Sequence, residues 1–130
     1  MSGESNLEML IASMRPVLRD GTFVFVSVEP EAAQAIPAEA MVSEAEGATL
    51  VLRQADADSR GLVYDYVARW ITLEVHSSLA AVGLTAAFST ALGNAGISCN
   101  VLAGYHHDHL LVSAVDAQRA LKVLQDMSVR

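Results

Sequence analysis

The sequence predicts an α+β protein made of two ferredoxin-like βαββαβ units in tandem, each an antiparallel sheet with helices on one face. Three observations predict it. The second half reads strand, helix, strand, strand, helix, which is a βαββαβ unit lacking only its final strand. The first half holds a similar strand content with a weaker first helix, so the 130 residues divide into an N-terminal unit at 1–61 and a C-terminal unit at 62–130. The strands flanking His106-His107-Asp108 pair directly across a tight turn. A parallel, doubly wound sheet needs long crossovers instead.

Each element has a local reason. Ser5 can cap a first helix, and Glu8 three residues on completes a capping box. Leu7, Leu10, Ile11 and Met14 follow at helical spacing as one apolar stripe, and Pro16 and Asp20-Gly21 end the region. Thr22 to Val28 reads as a central strand, with Phe23 and Phe25 on one face and Val24, Val26 and Val28 on the other. Pro30 to Ala40, bracketed by two prolines, reads as a helical turn in a loop. Met41-Val42 and Ala48 to Arg53 read as two strands joined around Glu46-Gly47, and Ala55 to Gly61 as a brief polar helix or loop.

The second half is written more plainly. Leu62 to Tyr66 is a candidate strand, and Ala68 to Val75 a stronger one, with Ile71, Leu73 and Val75 inward and Trp70, Thr72 and Glu74 opposite. A small-residue loop from His76 to Val82 leads into a helix from Gly83 to Ala95, where Leu84, Phe88 and Leu92 align and Gly96 is the natural C′ residue. Ile97 to Tyr105 and His109 to Ser113 form the hairpin strands. Asp116 opens a last helix striped by Ala117, Ala120, Leu121, Leu124 and Met127. A unit this small is marginal alone, so the two should share a sheet or pack closely, and a homodimer is expected.

Composition excludes several functions. The chain has 15 acidic and 8 basic residues, a formal charge of −7, and one lysine, Lys122. Phosphate binding needs clustered Lys and Arg, so no nucleic-acid partner is expected. Nothing from Ser77 to Tyr105 is charged, which is long enough to cross a bilayer. Yet this stretch is rich in Ser, Thr, Asn and Gly, and it breaks at Gly93-Asn94-Ala95-Gly96, so it reads as a buried helix and strand and no membrane partner is expected. Glu4 stands where a secretory signal would carry positive charge, which predicts a cytoplasmic protein. Cys99, the one cysteine, reads as a small core thiol.

Chemistry is concentrated at one end of the second unit. In a βαββαβ unit the first strand ends where the later hairpin turns, so His76, Gly83 and the His106-His107-Asp108-His109 turn should cluster. His76, His107 and His109 are candidate metal ligands, set against plain turn residues, because neighbours on a strand point to opposite faces and no HExxH or Cys/His spacing accompanies them. The loop Ser77-Ser78-Leu79-Ala80-Ala81-Val82-Gly83-Leu84-Thr85 brings a strand end to a helix N-terminus, whose free N–H groups suit a small carboxylate. No GxGxxG or Walker pattern is present, and a plain connection is the alternative. Ser77, His107 and Asp108 can be drawn as a triad on paper, but nothing in their spacing demands it. Glu44 and Glu46 sit in a polar connection. No catalytic residue and no cofactor is expected.

These residues carry a resemblance. Trp70-Ile71-Thr72-Leu73-Glu74-Val75-His76-Ser77-Ser78-Leu79, then Ala81-Val82-Gly83-Leu84-Thr85-Ala86-Ala87, resembles the small bacterial tandem ACT-domain proteins. Ile97-Ser98-Cys99-Asn100-Val101 and Gly104-Tyr105-His106-His107-Asp108-His109 continue it, as do Phe23-Val24-Phe25 and Glu46-Gly47-Ala48-Thr49-Leu50-Val51 in the first half. The resemblance implies kinship with the regulatory regions of aspartate kinases and with cytosolic amino-acid sensors. It implies a non-catalytic regulatory module that binds a free amino acid at an interface between ACT units. Carried over, the site is His76, Ser77, Ser78, Val82, Gly83, Leu84, Thr85 and Asn100, with Asp108 for the ligand's amino group. Departing from the kinases, no attached catalytic domain is expected. The alternatives are an assembly module without ligand and a metal-dependent enzyme using the His/Asp turn.

Overall fold

The computed structural model describes residues 6–75 and 78–128. In chain order the elements are α1 (Leu7–Ser13), β1 (Arg15–Leu18), β2 (Phe23–Val28), α2 (Pro30–Ala33), β3 (Ala40–Glu44) and β4 (Gly47–Arg53). Then come α3 (Gln54–Ser59), β5 (Val67–Glu74), α4 (Leu84–Asn94), β6 (Cys99–Ala103), β7 (Asp108–Ser113) and α5 (Ala117–Ser128). They form two compact units. The inner unit is Asp20–Ala68, and the outer unit joins Met1–Arg19 to Arg69–Arg130. This division by packing differs from a consecutive one at 61/62 chiefly in residues 6–19, which pack with the second half.

The inner unit orders its strands β3-β4-β2-β5. Neighbours are antiparallel: Met41 faces Leu50, Val26 faces Leu50, and Val24 faces Val67 at the start of β5. That is a whole βαββαβ unit, with Val67 and Ala68 as its fourth strand. One face buries Val24, Val26, Leu50 and Leu52 against Ala33 of α2 and Ala57 of α3. The other face holds Phe23, beneath the Arg53 guanidinium at 5.0 Å from the ring centroid. β2 is therefore central, with the two faces read from its alternation. Leu62 to Tyr66 is not a strand. Its polar groups turn back to α3 instead: Leu62 N–H donates to Ala57 O (2.9 Å), and Tyr64 OH donates to Asp58 Oδ1 (2.6 Å) and accepts from Gln54 Nε2 (2.9 Å).

The outer unit orders its strands β1-β5-β7-β6. Here the sequence reading needs correction, because Pro16 does not simply end a helix. Arg15–Leu18 is a strand antiparallel to β5, with Pro16 opposite Leu73 and Leu18 opposite Ile71. Proline is tolerated in a first or last strand because a position whose N–H would point away from the one neighbouring strand loses no ladder bond. The final strand that the second half lacks is thus supplied from the N-terminus. Helix α1 is capped by Asn6, whose Oδ1 accepts from Met9 N–H at 3.2 Å. Ser5, expected in that role, lies outside the described residues.

One core holds this unit together. Leu10 and Met14 of α1, Ile71 and Leu73 of β5, Leu84, Phe88 and Leu92 of α4, Leu110 and Val112 of β7, and Leu124 of α5 are all buried in it. Each such side chain contributes roughly 1.5–3 kcal/mol of burial. Helix α4 closes at Gly96 (φ +74°), with Ile97 N–H donating to Leu92 O at 2.9 Å. Asp116 lies in a 3-10 turn, Ala114–Asp116, that precedes α5. Among the described residues no helix is long and apolar enough to cross a membrane.

Candidate functional site

The end of the outer unit where β5 gives way to α4 gathers most of the polar chemistry. Two pairings define that end. Leu102 faces His109 across the β6–β7 hairpin, and His109 in turn touches Thr72, two residues before the end of β5. The hairpin therefore turns at the end where α4 begins. The turn itself is Gly104–His107, closed by Gly104 N–H donating to His107 O at 2.9 Å. It starts before the expected His106–Asp108, because Asp108 is already paired with Ala103. A Cβ on Gly104 would stand 2.8 Å from His107 O, which explains a glycine there.

Helix α4 begins at Gly83, whose φ of +103° is cheap only for glycine. No side chain caps it, and its first turn holds no acid. The leading N–H groups of an α-helix have no partner within it and carry partial positive charge. Thr85 is exposed and Val82 is 84 % exposed, so this terminus faces solvent. Leu84 is different: its side chain is buried in the core, which leaves only its backbone to meet a ligand. Ser78 Oγ accepts from Ala80 N–H at 3.1 Å, so that hydroxyl shapes the loop. His76 and Ser77 lie outside the described residues.

The remaining candidates divide by face. Cys99 and Val101 pack toward the helices, so Asn100 between them faces the opposite side, where its Nδ2 donates to Leu111 O at 3.4 Å. Within one outer unit the side chain of Asn100 is not brought to α4. Asp108 is half-buried, and that burial raises its pKa above the ordinary carboxyl value, opposed by the nearby His109. Burial likewise pushes the Cys99 thiol up to about 11, which makes it a poor nucleophile. Glu44 and Glu46 are exposed, and Glu44 accepts from Thr49 Oγ1.

Among the described residues, His107 and His109 do not converge as metal ligands would. His109 turns its Nδ1 to Thr72 Oγ1 (3.0 Å) and Trp70 Nε1 (3.2 Å), while His107 Nδ1 is buried with no hydrogen-bond partner. Among the described residues no three of His, Cys, Asp and Glu are placed to hold a metal ion. Sequence reasoning missed two contacts here. Leu7 of α1 reaches Gly83, with its Cδ2 3.0 Å from where a Cβ would be. Trp70, Thr72 and His109 form a polar cluster on the face away from the helices. The alternation of β5 placed Trp70 and Thr72 on that face, but their partner on β7 is a tertiary fact.

Comparison with known proteins places these features. Residues 2–69 match a family model of the ACT domain, and residues 66–126 match a second ACT-domain model. No curated protein matches. Among solved structures, a Vibrio cholerae protein of unknown function, described as a possible transport protein, is 44% identical with a TM-score of 0.86; 94% of this chain and 95% of that one are covered. The ligand-free regulatory subunit of aspartate kinase from Thermus thermophilus has a TM-score of 0.65 at 9% identity, covering 90% and 97% of the two chains. Aspartate kinase from Clostridium acetobutylicum, an allosteric enzyme, has a TM-score of 0.63 at 13% identity, covering 88% of this chain and 34% of the kinase. At such identities the two kinase structures speak to the fold alone.

Proposed function

Because this chain belongs to the ACT-domain family, as two domains in tandem, we propose that it is a cytoplasmic regulatory module that binds a free amino acid. ACT domains are typically regulatory, non-catalytic units with small amino-acid ligands. The observation that carries the reading is the start of α4. An eleven-residue helix opens on a left-handed glycine with no capping side chain and no acid, and its first turn is open to solvent. A carboxylate takes up those N–H groups and the dipole's positive end. The ammonium group goes to Asp108, a carboxyl that burial has left poorly stabilised in its charged form.

The ligand sits where a second copy of the chain meets this one. Strand β6 is last in the strand order of the outer unit, so one row of its backbone groups is unpaired within that unit, and Cys99–Ala103 carries no charge to guard it. Two such edges make a homodimer, with the backbone around Asn100 of the second copy facing the α4 terminus of the first. A ligand bridging the copies favours one arrangement only through its different affinity for the two.

A thermal-shift screen against free amino acids tests the reading. At a hundredfold excess over Kd, a ligand adds about 2.7 kcal/mol, a rise of several degrees. Thr85→Glu separates binding from folding. An acid in the first turn stabilises the helix by roughly 0.3–1 kcal/mol, yet it repels a carboxylate. The variant should keep or raise its Tm and lose the ligand-induced shift. A flat screen with wild type, or an unchanged shift in Thr85→Glu, refutes the site.

A further inference from the structure

The strand face that the ligand reading does not use carries a separate device. On β5, Trp70 and Thr72 point away from the helices, and on β7 so does His109. The three side chains close on one another: Trp70 Nε1 lies 3.1 Å from Thr72 Oγ1 and 3.2 Å from His109 Nδ1, and Thr72 Oγ1 lies 3.0 Å from the same nitrogen. The imidazole also packs on the indole, with ring centroids 5.4 Å apart. An indole N–H can only donate. As the acceptor of that N–H, His109 Nδ1 carries no proton, which assigns the ring's proton to Nε2 and leaves the ring neutral. The hydrogen bonds run from Trp70 to Thr72 and His109, and from the Thr72 hydroxyl to His109.

We infer that His109 is a proton-gated latch, holding the Gly104–His107 turn end of the hairpin against Trp70 when neutral and releasing it when protonated. A proton on Nδ1 turns that nitrogen into a donor aimed at another donor. The charges around it act the same way. The Arg19 guanidinium stands 4.7 Å from the Trp70 ring centroid, and both Arg19 and His107 oppose a positive His109. Among the described residues Asp108 alone favours the charge, and burial outweighs it, so the His109 pKa lies below its ordinary 6.5. Glu74, the next acid on that face of β5, is held by Arg15 at 3.1 Å. From β6 the facing residues, Leu102 and Asn100, are uncharged.

The only tryptophan in the chain is Trp70, so its fluorescence reports the latch directly. In the full chain, Trp70 emission should move to longer wavelength and acrylamide quenching should increase as pH falls through a single midpoint below 6.5. Far-UV circular dichroism should stay constant across the same range. His109→Asn, which cannot titrate, should abolish the transition. Should that variant not fold, the wild-type His109 ring followed by NMR decides the matter with a midpoint below 6.5. A quenching constant that does not change with pH, a transition that survives in His109→Asn, or an NMR midpoint at or above 6.5 overturns the latch.

Discussion

The two units repeat one topology and differ where the first strand hands over to the first helix. In the outer unit that place is Gly83-Leu84-Thr85, uncharged and opening a helix of eleven residues. In the inner unit it is Glu29-Pro30-Glu31, opening a helix of four. Glu29 and Glu31 set negative charge beside the terminus, and Pro30 has no N–H to offer. On the proposed reading, a carboxylate suited to the start of α4 would be repelled at the start of α2. The fold then repeats without repeating its site, and the ligand chemistry belongs to a few residues of one unit.

That contrast depends on residues 6–19 serving the outer unit, and core truncations can break it. Leu10→Ala removes a fully buried side chain and should cost about 2–5 kcal/mol in urea unfolding. Leu10 shares a core with Phe88, whereas Leu50 belongs to the inner core. A double-mutant cycle of Leu10→Ala with Phe88→Ala should give a coupling of about 0.5–3 kcal/mol, and the same cycle with Leu50→Ala a value near zero. Coupling to Leu50 and not to Phe88 would assign α1 to the wrong unit here.

A matched pair of glycines sharpens the comparison at a smaller scale. Gly83 (φ +103°) and Gly47 (φ +150°) both adopt backbone that other residues reach only with strain. A Cβ would meet Leu7 Cδ2 at 3.0 Å in the first case and Val28 O at 2.8 Å in the second. Each alanine variant should lose roughly 1–3 kcal/mol. Only Gly83→Ala should also weaken the amino-acid-induced shift. Equal loss of that shift in Gly47→Ala would mean that binding follows general stability and not the α4 terminus.

How much of this could be read from sequence depended on how local each signal was. The alternation of Phe23 to Val28, the Leu84/Phe88/Leu92 spacing and the Gly96 stop are short-range patterns, and they mark β2 and α4 where they stand. Strand β1 escaped because Arg-Pro-Val-Leu has no such pattern. It is a strand only because Leu73 and Ile71 lie opposite it, far along the chain. Leu62 to Tyr66 misled in the opposite sense, being apolar enough for a ladder but bonded to α3. In the candidate site, Gly83 was legible as a helix start. The cluster of Trp70 and Thr72 with His109 was not, since its members meet only after the sheet is ordered.

The finest test of the contrast is Asp108, because its effect changes sign with ligand. Burial raises its pKa above 3.8 in the folded chain, so the unfolded state gives up this proton more readily. Between the unfolded and folded values the folded state binds more protons, and stability contributed by this group falls as pH rises through that window. At neutral pH the charged form is then a modest burden on the empty protein. Asp108→Asn should raise Tm slightly at pH 7 and lose that advantage near pH 3, where the native acid is neutral in both states. With amino acid bound, an ammonium at Asp108 offsets the desolvation, and the order of the two proteins at pH 7 should invert. If Asp108→Asn is still the more stable protein at saturating ligand, the ammonium is held elsewhere.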